Sequence, residues 1–110
     1  MNITDAQMFE SLDFLRDDDR MISNARAKRI IIEEGRKHLK ARLINKSESK
    51  SFAQKEQDAY SDPEYRTLLV ALEVAISDDE HYRLLTDHHK ARIEVWRSQS
   101  ANNRFVSNRI

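Results

Sequence analysis

From Asp62 to Asn103 the apolar residues fall at helical spacing, and after Pro63 neither Gly nor Pro interrupts them. Tyr65, Leu68, Leu69, Leu72, Ala75 and Ile76 are followed by Tyr82, Leu85, Ile93 and Trp96. Steps of three and four residues mark a helix with one buried stripe. Ser61 or Asp62 can cap it, Pro63 suits the first turn where no N–H is needed, and Glu64 favours the positive end of the dipole. At about 1.5 Å per residue such a helix reaches roughly 60 Å and needs a long partner.

The first half of the chain supplies one. Thr4 or Asp5 can cap a helix that carries Met8, Phe9, Leu12 and Leu15 on one face. Asp17, Asp18 and Asp19 are good caps and mediocre helix formers; with no Gly or Pro beside them, continuity with a kink is the expectation. The stripe resumes at Ile22, Ala25, Ile32, Gly35, Leu39 and Leu43. Ser47–Ser51 lacks apolar residues and reads as a linker, with a short helix at Phe52–Tyr60 closing the tip. Ser77–Glu80 has capping-box spacing, but reads as an exposed acidic turn of a continuous helix. The chain is thus one domain: a first arm over 4–46, linker and tip over 47–61, a second arm over 62–103 and a frayed tail over 104–110.

An antiparallel register can be tested on this pattern. Facing residues whose numbers add to about 108 place Leu43 by Tyr65, Leu39 by Leu69, Ile32 by Ile76, Leu15 by Ile93 and Leu12 by Trp96. The same register sets Gly35 beside Ala75, where small residues permit close approach. Charge agrees. Residues 1–20 carry six acidic and two basic side chains and lie opposite Lys90, Arg92, Arg97 and Arg104. Residues 21–50 carry nine basic and three acidic ones and lie opposite Glu64, Glu73, Asp78, Asp79 and Glu80. Each such pair contributes only tenths of a kcal/mol, yet together they penalise other registers.

The fold class is therefore all-α: a long, coiled-coil-like antiparallel helical hairpin. Ile30, Ile31, Val70, Leu84 and Val95 lie off the seam. A second apolar stripe on a two-helix protein predicts a homodimer forming a four-helix bundle, or a partner that completes it. Composition fits long exposed helices, with 35% charged residues, one Gly and one Pro in 110 residues. Zero net charge gives no global attraction to nucleic acid or membrane. The absence of Cys removes disulfides and thiolate metal sites. There is no signal-like start and no run apolar enough for a bilayer. A soluble cytoplasmic protein is expected.

Candidate chemistry is sparse. His81 and His88 are a heptad apart, too far for one metal ion, and His89 reads as a hydrogen-bonded seam residue. The acidic triplets Asp17–Asp19 and Asp78–Glu80 lack the Gly turn and alternating oxygens of a calcium loop. No Gly-rich phosphate loop, GxSxG elbow or Cys–His arrangement occurs. No catalytic residue, metal or cofactor is expected, and the protein reads as non-enzymatic. The most suggestive feature is basic: Arg26, Lys28 and Arg29, then Arg36, Lys37, Lys40, Arg42 and Lys46. Such a row can track phosphates, but the register commits several of them to acids, and no stacking aromatics are interleaved. Trp96, the sole tryptophan, reads as an anchor against Leu12 or as an interface residue.

Asp-Pro-Glu-Tyr-Arg at 62–66, the long helix after it and Ala-Arg-Ile-Glu-Val-Trp-Arg-Ser-Gln-Ser-Ala at 91–101 resemble small helical proteins of tailed bacteriophages and prophages. The resemblance covers the second half of the chain and transfers no functional residue. It implies a host-cytoplasm setting and an accessory role, often beside recombination or replication genes. The leading expectation is a protein–protein interaction module acting as adaptor, modulator or inhibitor, with Ile30, Ile31, Val70, Leu84, Val95 and Trp96 at its interface. The alternative is a nucleic-acid-binding accessory protein using Arg36, Lys37, Lys40, Arg42 and Lys46. A third reading is a structural coiled-coil component of a particle.

Overall fold

Thr4 starts the first helix with a reciprocal capping box: its Oγ1 accepts from the Gln7 N–H at 3.1 Å, and its own N–H donates to Gln7 Oε1 at 3.0 Å. In the computed structural model, which describes residues 2–109, the elements are α1 (Asp5–Asp17), α2 (Asp19–Lys46), α3 (Phe52–Ser61) and α4 (Pro63–Arg109). The protein is all-helical, with no strand among the described residues. Ser51 caps α3 by accepting from the Gln54 N–H at 3.1 Å. Asp62 accepts from the Glu64 N–H at 2.8 Å, and Pro63 takes the first helical position.

The two acidic triplets behave differently. The first arm pauses for one residue at Asp18, whose φ and ψ of −99° and 5° depart from the helix. Hydrogen bonds continue on both sides, Asp18 N–H to the Phe14 carbonyl and Ile22 N–H to the Asp18 carbonyl, each at 3.0 Å. Ser77–Glu80 causes no break. The tail expected to fray is helical as far as Arg109, with neither Gly nor Pro to stop it; Ile110 lies outside the described residues.

Two compact units emerge. The middle unit is Asn24–Glu80; the end unit joins the chain up to Ser23 with the chain from His81. In the middle unit Leu39, Leu43, Ala59 and Tyr65 form the buried cluster, with Ile44 and Leu68 packed against it. Burying a side chain such as Leu43 contributes about 1.5–3 kcal/mol. α2 and α4 run antiparallel there in the expected register: Arg42 pairs with Glu64, Lys46 lies 4.0 Å from Asp62, and Arg29 reaches Asp79 and Glu80 at 3.2 Å each. Gly35 corrects one expectation. A Cβ placed on it meets nothing within 4 Å, so no close helix approach depends on it.

The end unit keeps the antiparallel sense but not the register. Ile3 and Gln99 exchange two hydrogen bonds, at 2.8 and 3.0 Å, between the Ile3 backbone and the Gln99 amide. Trp96 Nε1 donates to Asp5 at 2.8 Å, and Arg92 lies 3.8 Å from Glu10. Trp96 therefore meets Asp5 and not Leu12, a slide of about seven residues, or two helical turns. The cause sits on the seam. Ser11 is 0% exposed and faces His89, 7% exposed, across 2.9 Å between Oγ and Nδ1. The imidazole also stacks on Phe14, centroids 4.2 Å apart. A small polar residue makes room for the ring, and Phe9 and Leu12 turn to solvent.

Candidate functional site

Helical spacing alone places Arg36, Lys37 and Lys40 on one side of α2, and α3 changes what surrounds them. Lys37 pairs with Glu34 on its own helix at 3.2 Å. Lys40 lies 3.5 Å from Glu56 of α3, and its Nζ stands 4.8 Å from the centre of the Tyr60 ring. Hydrogen bonding to Tyr60, then the charge of Glu56, raises the Lys40 pKa above the usual lysine value. Tyr60 meets Tyr65 edge-on, with centroids 5.3 Å apart. Arg42 and Lys46 turn toward Glu64 and Asp62. Of the five basic residues singled out by sequence, Arg36 has no ion pair among the described residues. Arg36, Lys37, Lys40, Tyr60 and Tyr65 line a shallow concavity of about 230 Å³. The aromatic absent from the linear pattern is therefore supplied by another helix.

The apolar candidates divide. Ile30, Ile31, Val70 and Leu84 are exposed, Ile31 most of all at 70%. Val95 and Trp96 are half-buried. Val74, one turn from Val70, is exposed as well and was missed; its step of four from Val70 is the signal that points to it.

The histidines do not converge. His88 and His89 have ring centroids 5.1 Å apart at a steep angle, and no group of three potential metal ligands occurs among the described residues. Ser11 and His89 stand at the distance of a nucleophile and its base, but Ser11 has no accessible surface, so no substrate reaches its Oγ. Burial first, then the charges of His88 and Arg92, lower the His89 pKa. Elsewhere, Asp58 accepts from Ser47 and Ser49 hydroxyls at 2.6 Å each and from Gln54 Nε2 at 3.0 Å. These bonds, Ser47 foremost, hold its carboxyl below the usual range. The contacts fasten the linker to α3, and the sequence reading missed them. No helix among the described residues is long and apolar enough to cross a membrane.

No family model, curated protein or solved structure matches the chain.

Proposed function

We propose that the protein is a non-enzymatic protein–protein interaction module. It works as a homodimer in which two antiparallel hairpins complete a four-helix bundle. It serves in the host cytoplasm as an adaptor, modulator or inhibitor of the kind tailed phages encode among accessory genes. One observation carries this reading: large apolar side chains are left outside, among them Phe9, Ile31 and Leu84, 59%, 70% and 60% exposed, and apolar residues that gather on an outer face mark an interaction surface. In the middle unit Val70 and Val74, 54% and 52% exposed, are the first candidates for that contact.

Sedimentation equilibrium tests the proposal. A mass twice that of the chain is expected, and Val74→Glu should shift the protein to monomer with its helicity retained. A monomer at high concentration, or a dimer indifferent to Val74→Glu and Val70→Glu, would sink it. Large open assemblies in the same run would favour the particle-component reading.

A second reading, nucleic-acid binding on the basic side of α2, is supported by Arg36 beside Tyr60 of α3 and Tyr65 of α4. Anisotropy of labelled DNA titrated over salt tests it, through a steep fall of log K against log salt.

A further inference from the structure

We infer that Arg36, Lys37 and Lys40, together with Tyr60 and Tyr65, form a binding site for a nucleotide unit, its phosphate on the cations and its base against Tyr60. The inference rests on the nucleic-acid reading for the source of that nucleotide and deepens it to a single site.

The charge balance comes first. The concavity is lined by three cations and two phenols, with no carboxylate among them. The acids nearby are already engaged: Glu33 with Arg29 at 3.1 Å, Glu34 with Lys37 at 3.2 Å, Glu56 with Lys40 at 3.5 Å. That leaves the Arg36 guanidinium with no carboxylate partner among the described residues. A guanidinium presents paired N–H donors that match phosphate oxygens, whereas an ammonium acts as a point charge. Arg36 therefore takes the phosphate, while Lys37 and Lys40, whose charges Glu34 and Glu56 offset, contribute hydrogen-bond donors beside it.

The aromatic half explains why the ligand carries a ring. Tyr65 is buried and holds Tyr60 edge-on, while Tyr60 itself remains 46% exposed. Lys40 Nζ stands over the Tyr60 ring at 4.8 Å, and the part of the ring that stays exposed is the stacking platform, on which bases stack with little regard to sequence. A bare anion uses only half of this surface. The same chemistry arises from a free mononucleotide or from one residue of a single strand.

Calorimetry with the full-length protein separates these cases, using deoxyadenosine 5′-monophosphate, deoxyadenosine and inorganic phosphate at one ionic strength, alongside anisotropy with a labelled single-stranded oligonucleotide. The nucleotide should bind saturably and more tightly than either half. Arg36→Gln, at an exposed helical position, should weaken it about tenfold or more. Tyr60→Ser should weaken the nucleotide but not phosphate, and Tyr60→Phe should keep both. Absence of saturable binding by nucleotide and oligonucleotide overturns the site. So does an unaltered affinity in Arg36→Gln, or phosphate binding as tightly as the nucleotide. Salt-steep oligonucleotide binding that ignores both substitutions leaves the nucleic-acid reading standing and removes this site. Nucleotide binding at the site without oligonucleotide binding does the reverse and assigns a free nucleotide as the ligand.

Discussion

His89 lies on the seam of the end unit, its Nδ1 facing Ser11 Oγ across 2.9 Å. A buried imidazole with one hydrogen-bond partner, Ser11, is held neutral by burial and by the charges of His88 and Arg92, against the opposing pull of Glu10 and Asp18. Its folded pKa lies below the ordinary value of 6.5. In the unfolded chain the ring therefore takes up a proton at higher pH than in the folded one. The stabilisation is complete above about pH 6.5 and is lost as pH falls through the lower folded value. Urea melts at a series of pH values should show that decline. Ser11→Ala should cost about 1–3 kcal/mol, because the facing nitrogen loses its partner without regaining water. A stability flat across this pH range would contradict the assignment.

Among the elements, α2 carries a correctable weakness. Gly35 lies in the helix interior, where its backbone freedom costs about 0.5–1 kcal/mol relative to Ala, and no atom lies within 4 Å of an added Cβ. Gly35→Ala should raise stability by about that amount in a thermal melt; a loss would mean that a close contact exists after all. The elements also show where the sequence was readable. In the middle unit large apolar residues and opposite charges gave the same register, so Leu43–Tyr65 and Arg29–Asp79 were legible from spacing. In the end unit they misled. Met8, Ser11 and Leu15 follow the same three–four step as the rest of the seam, but Ser11 is polar and Leu12 is not. Hydropathy alone prefers the wrong neighbour. The Tyr60–Lys40 contact had no linear signal of its own, since it depends on how α3 folds back over α2.

At the scale of the whole molecule, few residues hold a large surface. Leu72 and Ala75 join the middle cluster in being buried, whereas among the described residues the end unit buries only Ile3, Met8, Ser11 and His89. Local stability follows the density of buried contacts. Hydrogen exchange should therefore be faster along α1 than around Leu39 and Leu43. Equal protection in the two would show that the end unit is reinforced by contacts beyond this chain, as the proposed dimer supplies. Repeating the exchange on Val74→Glu distinguishes the cases, because a dimer-derived protection would fall with the loss of association.

The paired hydrogen bonds between Ile3 and Gln99 impose an order of assembly on a nascent chain. Their partners lie 96 positions apart, while the ion pairs that bind α2 to α4 in the middle unit span no more than 51. Closing the shorter span first lowers the entropic cost of closing the longer one. On a ribosome α1 precedes Trp96 and Gln99 by several seconds at about 5–20 residues per second. Throughout that interval Met8 and Ser11 have no seam to enter. Of the four helices, the earliest to be synthesised is the last to find its place.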